Sequence, residues 1–160
     1  MRKAATLLLM TVLSCSYLQT WGQVKEPLFT LLDEKKTGIS FNNKVLEDDS
    51  LHVFKYEYLY NGHGIGVGDF NGDGWMDLFI SGNTVPNKLY LNKQGLTFED
   101  VTKNAGVAGN GNWRTGVSIA DVNGDGLPDI YVCHSGLHTD KDLANELYIN
   151  RGVRNGAPYF

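Results

Sequence analysis

Short runs of alternating polarity, and no helical stripes, dominate the chain. Phe54, Tyr56, Tyr58 and Tyr60 recur at every second position from His52 onward, which predicts a strand with one aromatic face. Gly38-Ile39-Ser40-Phe41 predicts a shorter strand, followed by a polar loop around Asp48, Asp49 and Ser50. Further on, Ile130, Val132 and His134 share one parity while Tyr131 and Cys133 share the other, so Cys133 is expected as a small core residue and not as a nucleophile. Residues 16–37 are mixed and poorly periodic.

The alternation repeats. GIGVGDFNGDGWMDLFISG from Gly64 aligns without a gap to GVSIADVNGDGLPDIYVCHSG from Gly116, placing Asp69 on Asp121 and Asp77 on Asp129. The likeness resumes where NKLYLNK at Asn87 answers NELYINR at Asn145. Six extra residues in the second copy fall in the polar stretch His138 to Ala144, where an insertion is expected to form a surface loop. Each copy predicts strand, acidic turn, strand, loop, strand, and Thr97 to Thr102 adds a fourth strand to the first. Such a four-stranded antiparallel unit has the size of a propeller blade, so the expected class is all-β, built of β-propeller-type blades. In the second copy Phe160 takes the place of Phe98, which predicts an incomplete propeller belonging to a longer protein. The expected segments are a signal over 1–22, a lead-in over 23–55, a first blade over 56–108 and a truncated second blade over 109–160.

Both acidic turns carry D-x-N-G-D-G-x-x-D. Side-chain oxygens fall at positions one, three, five and nine: Asp69, Asn71, Asp73 and Asp77, then Asp121, Asn123, Asp125 and Asp129. Three carboxylates and an amide suit a hard ion that takes six to eight oxygens, and the carbonyls of Trp75 and Leu127 at position seven would complete the set for Ca2+. Glycine at position six, Gly74 and Gly126, allows the bend that returns position nine towards the ion. The twelfth positions are Ile80 and Val132, where an EF-hand requires glutamate, and β-branched and aromatic residues follow the loops, so the loops close hairpins and not helix pairs. A competing reading makes Asn-Gly-Asp-Gly only a turn former. It leaves the acids at positions one and nine of both copies unexplained.

These residues resemble the FG-GAP or VCBS repeats of integrin α-chain-like propellers. The fuller string with Phe98-Glu99-Asp100-Val101-Thr102-Lys103-Asn104-Ala105-Gly106-Val107 is similar to the cartilage acidic protein and ASPIC/UnbV group of exported proteins. The resemblance covers residues 56 to 160. It implies calcium at the blade hairpins, held by the residues named above, and an exported module for adhesion to an extracellular protein or glycan. Asn71 and Asn123 depart from the most acidic form of the motif, which implies weaker binding.

Composition narrows the picture further. With 42% hydrophobic and 20% charged residues among 160, the chain falls in the globular range, and 19 glycines against 4 prolines favour tight turns. Arg2 and Lys3 precede an apolar run from Ala4 to Leu13 that is too short to span a bilayer, the pattern of an export signal. Val12-Leu13-Ser14-Cys15 offers a lipobox, with cleavage before Cys15 and lipidation there as the only membrane contact. Thr20-Trp21-Gly22 offers ordinary cleavage after Gly22. The expected location is therefore the outer surface of a bacterial envelope, or the periplasm or medium. Loss of the first fourteen residues moves the formal charge from -4 to -6, which argues against nucleic acid. Cys133 then stands without an internal disulfide partner.

No nucleophile, zinc, phosphate-loop or dinucleotide motif is present, so no catalysis is expected. His134 and His138 lie four apart but not on a helix, and Gly62-x-Gly64-x-Gly66 lacks the helix of a phosphate loop. Tyr90 and Tyr148 recur at matching places and are expected in the core, while Trp75 and Trp113 stand beside loops. The alternative function is a polysaccharide-binding or polysaccharide-processing accessory protein whose active part lies beyond Phe160.

Overall fold

The computed structural model describes residues 27–109, 113–136 and 144–160. The expected signal, Cys15, Gly22, His138 and most of the six-residue insertion lie outside these residues. The chain forms two units, Met1–Leu31 and Leu32–Phe160, and everything below concerns the second.

Glycine-rich acidic turns close two hairpins. Ile65–Gly68 (β1) pairs antiparallel with Asp77–Ile80 (β2), and Lys88–Asn92 (β3) and Phe98–Asp100 (β4) complete a sheet in the order β1-β2-β3-β4. A single helical turn, Thr102–Ala105 (α2), follows β4; an earlier turn, Glu34–Thr37 (α1), ends at Gly38 with φ 76°. Arg114–Ala120 (β5), Asp129–His134 (β6) and Glu146–Tyr148 (β7) make a second sheet in the order β5-β6-β7. Its registers echo the first, with Leu78 opposite Tyr90 and Ile130 opposite Tyr148. The all-β class and the four-stranded antiparallel first blade stand as predicted.

The two sheets pack face to face. Phe70, Phe79, Leu89 and Leu91 of the first copy meet Ile130 and Val132 of the second, with Val117, Ile119, Tyr148 and Phe160 at the margin. Buried aliphatic and aromatic area of this kind is the main favourable term in folding. Close approach is set by β1: a Cβ on Gly66 would stand 2.6 Å from Ile119 Cδ1, and one on Gly64 2.7 Å from Val117 Cγ2. The glycine stripe that fails as a phosphate loop is thus a seat for the neighbouring strand.

Several expectations need correction. The aromatic run at 52–60 is not a strand but a series of turns, with Tyr56 N–H donating to the His52 carbonyl and Leu59 N–H to the Tyr56 carbonyl. The turns bury Tyr56 and Leu59 against Trp113, while Phe54, Tyr58 and Tyr60 stay exposed. Local i to i−3 and i to i−4 bonds win because no neighbouring strand pairs with the segment. Gly38–Phe41 forms no ladder either. Beyond α1 the chain runs as an extended strap, half-buried at Ile39, Phe41, Asn43 and Val45 and tied down by Asn43 Nδ2 to Asn83 Oδ1 at 2.6 Å.

Phe160 does not continue a fourth strand of the second blade. The chain turns through a small hairpin, Val153–Arg154 (β8) with Ala157–Pro158 (β9), and Phe160 N–H reaches the Ala105 carbonyl at 3.4 Å. Its ring stacks edge-on with Phe70 and Tyr148. Cys133 is half-buried and shares the outward parity of Tyr131, so it is not a core residue. Tyr90 and Trp113 are buried, Tyr148 is packed on the core, and Trp75 is exposed.

Candidate metal centre

Each acidic loop is a hub of acceptors. Asp69 Oδ1 accepts the amide N–H groups of Gly72 at 2.8 Å and Asp73 at 3.1 Å, and Oδ2 accepts that of Gly74 at 2.8 Å. Asp121 repeats this with Gly124, Asp125 and Gly126 at 2.7, 3.2 and 2.8 Å. Asp73 Oδ1 accepts from Trp75 N–H at 2.8 Å, and Asp125 Oδ1 from Leu127 N–H at 2.9 Å. In each loop the position-three amide, Asn71 or Asn123, donates to the position-five carboxylate across 2.9 Å. Gly74 and Gly126, at φ 86° and 85°, take the left-handed bend that only glycine adopts freely.

Position nine is different in kind. Asp77 and Asp129 are buried beneath their loops, and both oxygens of each are held by backbone amides. Asp77 Oδ2 accepts from Phe70 N–H at 3.0 Å and Oδ1 from Asn92 N–H at 2.8 Å. Asp129 matches, with Val122 N–H at 2.9 Å and Asn150 N–H at 2.8 Å. Burial first, and then the charges of Asp73 and Asp69, push the Asp77 carboxyl up to about 6 against the opposing pull of those two amides. At the opposite corner, the amide N–H groups led by that of Gly126 hold Asp121 below its ordinary value.

The expected convergence on one point is therefore incomplete. Among the described residues no three acidic, imidazole or thiol side chains form a group able to hold a metal. Mutual repulsion and a ring of inward amide donors turn the carboxylates on to their own loop, and position nine serves first as a structural acceptor. The donor set nevertheless fits a hard cation in type, because every candidate atom is oxygen and, outside the doubly hydrogen-bonded Oδ1 atoms of Asp69 and Asp121, the carboxylate oxygens at positions one, five and nine have a lone pair beyond their amide bond.

Sequence reasoning missed Asn92 and Asn150, although both recur in the matching NKLYLNK and NELYINR strings. Asn92 Nδ2 donates to the Met76 carbonyl at 3.0 Å, and Asn150 Nδ2 to the Pro128 carbonyl at 3.3 Å. A second omission is Arg114, fully buried, which pairs with both oxygens of Glu146 and donates to the Gly82 carbonyl of the first copy at 3.4 Å. Burial would raise Glu146, but the hydrogen bonds from Arg114 and Tyr148 outweigh it and hold the carboxyl below its ordinary value.

Twin sheets with buried contact faces and matched acidic hairpin loops define a blade-repeat β protein. The profile of the FG-GAP-like repeat matches residues 48–132, more than half of the chain, and the chain belongs to that family. Cartilage acidic protein 1 of Xenopus tropicalis is 33% identical over 109 residues, 68% of this chain and 17% of that protein. The Homo sapiens protein of the same name is 29% identical over 110 residues, 69% of this chain and 16% of its own length. The chain thus spans about a sixth of these relatives.

Proposed function

We propose that the chain is an exported, non-enzymatic repeat module for adhesion to an extracellular protein or glycan, with its two hairpin loops binding Ca2+. The bond-for-bond identity of the two loops carries this reading: side-chain oxygen stands at positions one, three, five and nine of both, a donor set of the kind a hard cation takes. Asp69, Asn71, Asp73 and the Trp75 carbonyl, with Asp77, would hold one ion; Asp121, Asn123, Asp125 and the Leu127 carbonyl, with Asp129, the other. Calcium would supply positive charge to a loop crowded with carboxylates, and the loop oxygens would coordinate it. The chain's own residues orient that site: the Gly72 to Gly74 amides fix the Asp69 carboxylate, and the Phe70 and Asn92 amides fix Asp77.

Membership of the FG-GAP-like family and likeness to cartilage acidic protein 1 support export and adhesion. No helix among the described residues is long and apolar enough to cross a membrane. Attachment, where it occurs, would be through a lipid on Cys15. Isothermal titration of chelator-stripped protein with CaCl2 tests the metal assignment: two oxygen-rich sites predict saturable uptake of two ions, and no heat or stoichiometry above zero would defeat it.

A further inference from the structure

The dipeptide Asn-Gly occurs four times among the described residues, at 61–62, 71–72, 123–124 and 155–156. At such a step the asparagine side chain is open to attack by the backbone, because glycine has no Cβ to keep its nitrogen away from the carboxamide carbon. The four glycines share one backbone conformation, with φ 84°, 74°, 78° and 79° in chain order. Solvent access does not sort the steps either, since Asn61, Asn123 and Asn155 are all exposed. Hydrogen bonding does.

In the acidic loops three bonds hold each step. Gly72 N–H donates to Asp69 Oδ1 at 2.8 Å, Asp73 N–H donates to Asn71 Oδ1 at 3.1 Å, and Asn71 Nδ2 donates to Asp73 Oδ2 at 2.9 Å. The second loop repeats them: Gly124 N–H to Asp121 Oδ1 at 2.7 Å, Asp125 N–H to Asn123 Oδ1 at 3.0 Å, and Asn123 Nδ2 to Asp125 Oδ2 at 2.9 Å. The carboxamide is clamped at both ends, and the glycine nitrogen would have to give up its proton beside a carboxylate, where new negative charge is disfavoured. Outside the loops the step is unheld. The Asn61 and Asn155 side chains and the Gly62 and Gly156 N–H groups have no hydrogen-bond partner among the described residues. Asn155 and Gly156 form the two-residue turn between β8 and β9, with Asn155 at φ 52°.

We propose that Asn61 and Asn155 are sites of spontaneous deamidation, and that Asn71 and Asn123 are kept from it by the bonds that build the acidic loops. The glycine nitrogen attacks the asparagine Cγ and loses its proton; the Cγ–Nδ2 bond breaks and ammonia leaves, giving a five-membered succinimide. Water then opens the ring at either carbonyl, to aspartate or to isoaspartate. One water is consumed and one ammonia released, with no oxidant or reductant. At Asn155 the product adds a carboxylate next to Arg154 in sequence, and the isoaspartate form adds one backbone carbon to the turn that pairs Arg154 with Ala157. The acidic loops retain a neutral amide at position three, whether or not they bind calcium.

Peptide mapping by mass spectrometry tests this, on the folded chain held in mildly alkaline buffer with chelator and on the same chain unfolded in guanidinium chloride. Each conversion is read as the gain of a single mass unit, and its rate in the folded chain is divided by its rate in the unfolded one. Asn61 and Asn155 are expected to keep most of their unfolded rate. Asn71 and Asn123 are expected to be slowed by about tenfold or more, the effect of having to break a hydrogen-bonded clamp. Asp73→Ala removes the acceptor of Asn71 Nδ2 at an exposed position, and is expected to quicken conversion at Asn71 while leaving Asn123 as in wild type. Far-ultraviolet dichroism reports that the variant is folded. Conversion of Asn71 and Asn123 as fast in the folded chain as in the unfolded one overturns the proposal, as does Asn61 or Asn155 slowed as much as the loops. A folded Asp73→Ala protein in which Asn71 is no faster than in wild type overturns the part assigned to the clamp.

Discussion

Asn150 reaches across the molecule to Phe70. Its side-chain amide donates to the Phe70 carbonyl at 2.9 Å, inside the first acidic loop, while its backbone N–H donates to Asp129 of the second. A single buried residue, eighty positions from Phe70 in sequence, thus ties the two candidate ion loops to each other.

Replacement of Asn150 by Leu removes the donor to Phe70 and Pro128 and strands the buried Phe70 carbonyl and the half-buried Pro128 carbonyl. The expected loss of stability is about 2–3 kcal/mol. Equilibrium urea unfolding measures it, and a loss below about 0.5 kcal/mol would show that the bond carries little weight.

The two kinds of aspartate in the loops should separate by experiment. Asp77→Ala leaves the Phe70 and Asn92 amides without their buried acceptor, so it is expected to destabilise the protein by about 2–4 kcal/mol even in chelator. Asp73→Ala removes an exposed carboxylate and should change stability in chelator by no more than about 0.5 kcal/mol. In calcium each variant is expected to lose about 1.4 kcal/mol more, which is what an intact site adds at tenfold excess over its dissociation constant, so the order is kept but Asp73→Ala becomes clearly destabilising. Melting curves of both variants, with and without CaCl2, supply the four values, and an Asp73→Ala protein that still gains as much from calcium as wild type would remove position five from the site.

The seat in β1 tolerates no side chain. Gly66→Val places methyl groups where Ile119 already packs, and a destabilisation of about 1–3 kcal/mol is expected from overpacking. The same change at Gly72, where a Cβ meets nothing within 4 Å, acts only through its φ of 74°. Chemical unfolding of the two variants compares interface crowding with backbone strain.

Acid should loosen the Arg114 and Glu146 pair. The folded protein holds Glu146 below the ordinary carboxyl value, so its contribution is present at neutral pH and is lost as pH falls through that lowered value. Glu146→Gln is expected to lower stability at pH 7 by about 3 kcal/mol or more, because Arg114 is then buried without a counter-charge, and to flatten the acid limb of the stability profile. Unfolding free energies between pH 3 and pH 7 test both, and an unchanged acid limb in the variant would assign the pH dependence to other groups.

How much was legible beforehand depends on the range of the interactions involved. The hairpins were, because Asn-Gly-Asp-Gly flanked by strand-forming residues encodes the turn within nine positions, and the repeat displays it twice. The run at Phe54 to Tyr60 misled because its alternation has the strand period, yet a strand requires a partner, and here local turn bonds and the Trp113 contact prevailed. Phe160 was aligned to Phe98 by chemistry alone, whereas its place against Ala105, Phe70 and Tyr148 depends on the intervening β8–β9 hairpin.

By itself the sequence determined the all-β class, the blade repeat, the position of both acidic turns and the oxygen-only character of their side chains, since each of these follows from spacing and composition over a few residues. Only the tertiary structure decided that Asp77 and Asp129 lie buried under the loops, that Asn150 couples one loop to the other, and that glycines in β1 serve as a seat for β5. Those outcomes hinge on which faces meet and which backbone amides are left needing an acceptor. Both are set by packing between segments far apart in the chain, where no local pattern reaches.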